Sequence, residues 1–218
     1  MNVMNKNKII ITIFVTAVFY LIAANHYLFF PFHNMKMSEE EVADIYSKVN
    51  ATFIKDSKIY EIGIGDSLLD KYDIVDILEN QNDWDSNAAW LVSDFHNLSN
   101  TLYDSISVGY KRNDKNFIVD YVSGNIFYKK DIEKCYSRKK TIIKSLSEYS
   151  EIKNWKNNRW SNDEGLFDID RTKLNSGITI YIECINWNNA TEKLGYTDYL
   201  SVNIISKEWQ LYSPYNPL

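Results

Sequence analysis

Ile178-Thr-Ile-Tyr-Ile-Glu-Cys-Ile-Asn-Trp187 and, a short way downstream, Tyr199-Leu-Ser-Val-Asn-Ile-Ile205 are the two runs that decide the fold. Both are rich in β-branched and aromatic residues that suit a pleated, half-buried surface, and both read as strands. The link between them is too long for a tight hairpin. Upstream, the period changes. Asp131 to Ser147 spaces Ile132, Cys135, Tyr136, Ile142, Ile143 and Leu146 as the buried side of a helix. Before it, Ser105–Lys111, Asn116–Val122 and Ile126–Tyr128 read as an antiparallel meander, with turns at Arg112–Lys115 and Ser123–Asn125. Between helix and final strands, Glu151 to Asn175 is polar and reads mostly as loop.

Nearer the N-terminus the pattern is helical. Ser38-Glu-Glu-Glu41 is a capping box, followed by Val42, Ile45, Tyr46, Val49 and Phe53 at helical spacing. Lys58 to Ile64 reads as a short extended run. A second helix is expected from Asp66 or Ser67 to Glu79, with Leu68, Leu69, Tyr72, Val75 and Leu78 inward. A third is expected over Ser86 to Tyr103, through Ala89, Val92, Phe95, Leu98 and Leu102. Helices and strands thus come in blocks and do not alternate. The expected class is α+β: an N-terminal transmembrane or signal-anchor helix, then helices packed on one face of an antiparallel β-sheet. Residues 35–218 make up the domain, with a candidate subdomain seam near Lys129.

The first 34 residues read as a membrane segment. Lys6 and Lys8 precede Ile9–Ala24, sixteen residues in which only Thr12 and Thr16 are polar, and Tyr27–Phe32 resumes the apolar character. Residues 9–32 are long enough to span a bilayer with aromatics at the far interface. The competing reading is a signal peptide cut near Ile22-Ala-Ala24, where the Ile suits a peptidase poorly; a buried core helix is the third. The lysines are expected to hold the N-terminus in the cytoplasm, which puts residues 35–218 outside a bacterial inner membrane, in the periplasm or at the cell surface, or secreted or periplasmic if the signal is cleaved. Of 24 basic and 29 acidic residues, only Lys6, Lys8 and Lys36 lie within the first 37, so the remainder carries 21 against 29, a net −8. Such a surface repels nucleic acid and favours a cationic partner. Cys135 and Cys184 can form one disulfide in an oxidising compartment or stay as two buried thiols.

Candidates for chemistry are few. Gly65-Asp-Ser-Leu68, after the apolar Ile62-Gly-Ile64, resembles the nucleophile motif of the GDSL (SGNH) esterase and lipase family. The resemblance covers four residues and implies Ser67 as nucleophile, activated by a downstream His oriented by an Asp. That family's C-terminal Asp-x-x-His and its Gly-x-Asn-Asp block have no counterpart here, and His96 is the only histidine after the membrane segment. The competing role for Asp66 or Ser67 is a helix cap. Three His and two Cys without ligand spacing argue against zinc. Asp163-Glu164 with Asp168-Ile-Asp170 lacks the Gly and closing Glu of a calcium loop, so no cofactor is expected. Aromatics concentrate late in the chain, and Trp155, Trp160, Trp209, Tyr212 and Tyr215 are the candidate binding surface. The expected function is a membrane-tethered, non-catalytic protein-binding domain of immunity or inhibitor type. The alternatives are an esterase using Ser67 and an envelope protein that binds cell-wall glycan through the late aromatics.

Overall fold

The computed structural model describes residues 54, 56–82, 89–96 and 102–212. Ten strands and four helices succeed one another along them. The strands are β1 Lys58–Ile59, β2 Ile62–Gly63, β3 Gln81–Asn82, β4 Trp90–His96, β5 Ser105–Lys111, β6 Val119–Phe127, β7 Lys156–Ser161, β8 Gly165–Lys173, β9 Thr179–Trp187 and β10 Tyr199–Ile205. The helices are α1 Ile74–Glu79, α2 Ile132–Ser147, α3 Asn189–Lys193 and α4 Lys207–Tyr212. Eight strands form one sheet in the order β3-β4-β5-β6-β10-β9-β8-β7, antiparallel throughout. The architecture is therefore mixed α and β, with a large antiparallel sheet and few helices. Because β6 pairs with β10, the segments before and after Lys129 share that sheet.

One face of the sheet carries the core. Leu91, Ile106, Val108, Tyr110, Val122, Ile180, Ile182, Cys184, Leu200, Val202 and Ile204 are buried there on alternate positions, as a period of two demands. Helix α2 covers the β9–β10 half. Its Asp131 cap accepts from Lys134 N, and Cys135, Lys139, Ile142 and Leu146 turn inward at helical spacing. Full burial of Ile142 or Leu146 contributes about 1.5–3 kcal/mol each. The Cys135–Cys184 disulfide clasps α2 to β9, with Cα atoms 5.9 Å apart. Beside it, the Lys139 ammonium lies 2.5 Å from Asp168 Oδ1 and 2.7 Å from Asp170 Oδ2 on β8. Burial alone would raise the Asp168 carboxyl. The hydrogen bonds from Lys139 and Asn157 outweigh it and hold that group below the usual range.

Smaller pieces cover the β4–β6 half. The β1–β2 hairpin turns on Tyr60 (φ 49°) and Glu61 (φ 65°), two left-handed residues in a row. Gly65 N donates to Val119 O and Val119 N to Asp66 O, docking the hairpin on β6. Ser93 Oγ bridges Ile77 O of α1 and the Tyr110 hydroxyl.

Several expectations are corrected. The segment read as a helix over 86–103 contains strand β4, whose burial alternates residue by residue. Leu91, Ser93 and Phe95 point inward, and the polar Ser93 hides that alternation in the sequence. The region 151–175 holds strands β7 and β8; β7 lies on the sheet edge with almost every residue exposed, so it has no apolar side to announce it. Ser123-Gly-Asn125 is the interior of β6 and not a turn. Gly124 is needed there because a Cβ would run into the ring of Tyr103. The helices do not all share one face, since Trp209 of α4 stacks on Tyr121 on the opposite side of the sheet. The membrane segment 9–32 and the capped helix after Ser38 lie outside the described residues, among which no helix is long and apolar enough to cross a membrane.

Candidate binding surface

Ser67 is held as a cap. Its Oγ accepts from Leu69 N at 3.3 Å and donates to Asn116 O at 2.7 Å, closing a 3₁₀ turn over Leu68–Asp70. Asp66 accepts from Gly63 N and pairs with Lys58 at 3.2 Å. Ser67 bridges to Ile118, near the Lys111 end of β5, whereas His96 pairs with Ser105 at the other end. Six residues of strand, about 20 Å, therefore separate the two. The acidic loop residues are likewise dispersed. Asp168 and Asp170 face Lys139, while Asp163 and Glu164 sit in the β7–β8 turn. No group of three or more His, Cys, Asp or Glu among the described residues is placed to hold a metal.

The five late aromatics do not converge. Trp155 packs against the core. Trp160 stacks on Phe167 at 4.0 Å, ring planes 7° apart. Trp209 lies against Tyr121 and edge-on to Trp90, at 4.9 and 5.0 Å. The Tyr212 side chain and Tyr215 are outside the described residues. A different set comes together at one end of the outer sheet face. Phe127, Trp187, Tyr196 and Tyr199 line a shallow cavity of about 370 Å³ with Gly195 and Thr197. Trp160 and Phe167 extend this arc through the 5.7 Å contact of Phe167 with Trp187.

The middle of that outer face is a polar ladder. Asn125 Nδ2 donates to Ser105, Ser123 bonds to Asn125 and Ser201, the Tyr121 hydroxyl donates to Asn203 Oδ1, and Asn203 Nδ2 donates to Glu183 Oε1 at 3.1 Å. Burial in the sheet pushes the Glu183 carboxyl up to about 7, with Asn203 and the charge of Lys139 pulling the other way.

Another exposed apolar group lies elsewhere, on α1 and the turn before it. Ile74, Val75 and Leu78 are 51%, 57% and 52% exposed, and Leu69 is 41% exposed. The helical spacing predicts Leu69, Val75 and Leu78 inward, and the structure exposes all three. The chain breaks at Lys71–Asp73 into a 3₁₀ turn and a six-residue helix, which resets the phase and hands the core contact to Ile77. At 100° per residue, Ile74, Leu78 and Val75 form one continuous arc, bordered by Ile77 on the core side and by Glu79 and Asp76 on the other. Asp70 and Asp73 flank it in the turn, and all four acids are exposed. None of the four carboxylates forms an ion pair with the described residues. The nearby Lys71 is committed to Tyr60 O and Glu61.

No protein-family model matches the chain, and neither a curated protein nor a solved structure matches it.

The sequence did contain a signal for this surface. Ile74-Val-Asp-Ile-Leu78 holds four aliphatic residues in five positions, more than one side of a short helix can bury.

Proposed function

We propose that the chain is a non-catalytic protein-binding domain of immunity or inhibitor type. Residues 9–32 tether it to a bacterial inner membrane, and residues 35–218 face the periplasm. The exposed aliphatic arc of α1 carries the reading. Most of the large aliphatic side chains described here are buried, and a contiguous exposed group with a polar border has the anatomy of a protein interface. The Ser67 hydrogen bonds support it from the other side, because the motif serine is occupied as a cap. Full-length chain, solubilised in mild detergent and immobilised, is expected to retain one stoichiometric protein from envelope extract. Changing Val75 and Leu78 to Ser is expected to abolish retention. If no protein is retained while a fluorophosphonate labels Ser67, the esterase takes its place.

A second reading, glycan binding, draws on the arc of Phe127, Trp187, Tyr196 and Tyr199, since aromatic walls with a few polar groups suit a small ligand. Pelleting of the full chain with purified peptidoglycan, lost in Tyr196→Ala, is the outcome that favours it.

A further inference from the structure

From the border of the α1 arc we infer the chemistry of what covers it: a segment of another protein that presents aliphatic side chains flanked by Lys or Arg. This rests on the protein-binding reading and goes on to name the partner's surface. The observations are the apolar arc of Ile74, Val75 and Leu78, with Leu69 exposed in the turn before it, and the acids interspersed with them. Asp70, Asp73, Asp76 and Glu79 supply four carboxylates without ion-pair partners among the described residues. Among the described residues, the cation next to these acids in sequence is Lys71, and it is engaged by the β1–β2 hairpin. Its ammonium donates to Tyr60 O at 2.5 Å, lies 3.4 Å from Glu61 and sits 4.1 Å from the Tyr60 ring centroid.

Three other occupants fit less well. A bilayer leaflet offers apolar depth, but an anionic lipid surface repels four carboxylates, and peripheral helices that lie on membranes carry Lys and Arg where α1 carries acids. A second copy of this chain, docked arc to arc by a two-fold axis with the two α1 helices antiparallel, brings the Asp76–Glu79 border of one against that of the other. An acidic partner meets the same repulsion. A cationic segment turns each of these costs into an attraction, speeds the encounter and gives register to an otherwise featureless aliphatic contact. The rest of the sequence supports that sign: without these four acids, residues 38–218 still carry 21 basic and 25 acidic residues, a net −4.

The test places a benzophenone photo-cross-linker at Val75 of the full-length chain in living cells and sequences the cross-linked peptide. The expected product is a peptide of a different protein in which Lys and Arg outnumber Asp and Glu beside aliphatic residues. Neutralising the rim (Asp70→Asn, Asp73→Asn, Asp76→Asn, Glu79→Gln) is expected to lower the yield about tenfold while the thermal transition stays in place. Cross-links to lipid, to a second copy, to the chain itself, to an acidic peptide or to nothing overturn the inference, as does a yield indifferent to the rim. If Val75→Ser/Leu78→Ser loses the partner and the neutralised rim keeps it, the inference falls while the binding reading stands. If the immobilised chain retains no protein at all, both fall.

Discussion

The two halves of the sheet's inner face are closed in opposite ways. Over β9 and β10 lies a single helix of 16 residues, fixed by a disulfide and a buried ammonium between two carboxylates. Over β4 to β6 lie a four-residue hairpin ladder, a 3₁₀ turn and a six-residue helix, held by backbone hydrogen bonds and by Ser93. The first half puts its apolar residues inside and secures them. The second leaves four aliphatics outside. Short elements bury little area and nucleate poorly alone, so the second half is where a surface can be given over to recognition, and the first is where stability is concentrated.

The sharpest way to break that contrast is to open the disulfide. With the cysteines 49 positions apart in sequence, Cys135→Ser/Cys184→Ser is expected to cost about 4 kcal/mol on a loop-entropy estimate, read as a lower denaturant midpoint. Next comes Lys139→Ala, which strands Asp168 and Asp170. A loss of roughly 3 kcal/mol is expected, the low end for a broken buried pair because both carboxylates keep some exposure. Lys139→Met with Asp168→Asn and Asp170→Asn should recover most of it, since no charge is then left unpaired.

A smaller effect should appear on the outer face. The carboxyl of Glu183 titrates higher folded than unfolded, so the folded state holds the extra proton. Its contribution is fully present below about 4.5, the ordinary glutamate value, and is lost as pH rises through about 7. Glu183→Gln is therefore expected to flatten the fall in stability between pH 5 and 8 and to raise the melting temperature at pH 8. Equal slopes in the two proteins would remove Glu183 as the cause. The smallest effect belongs to α1. Val75→Ser/Leu78→Ser is expected to move the unfolding midpoint by no more than about 0.5 kcal/mol, as surface changes do. A large loss there would mean that the arc is core after all, and the contrast between the halves would vanish.

The halves also differed in how plainly the sequence spoke. β5 and β10 were placed to the residue, because central strands alternate or run apolar and nothing else of that length does. Helix α2 was read within one residue, from a long 3.6-residue period. The disulfide remained an open choice, since nothing in the sequence shows that α2 crosses β9 at Cys184. β4 was missed because its inward Ser93 is satisfied only by tertiary partners, Ile77 O and the Tyr110 hydroxyl. The aromatic set was misjudged for a related reason: Trp155 and Trp209 are spent on packing, and Phe127 and Trp187 meet only through strand pairing. The α1 arc depended on a helix break at Lys71–Asp73 that no Gly or Pro marks.

Gly124 and Gly109 suggest how kin of this chain could be found. On one side of the sheet the ring of Tyr103 fills the place where a side chain at Gly124 would stand; on the other, the indole of Trp209 does the same at Gly109. Neither glycine can change unless its aromatic shrinks with it, and neither aromatic can be lost without opening a hole over bare backbone. Distant descendants should therefore keep or exchange these positions in pairs, Tyr with Gly and Gly with Trp, alongside the two cysteines. Such a coupled pattern can outlast overall resemblance, and it marks ancestry by fit.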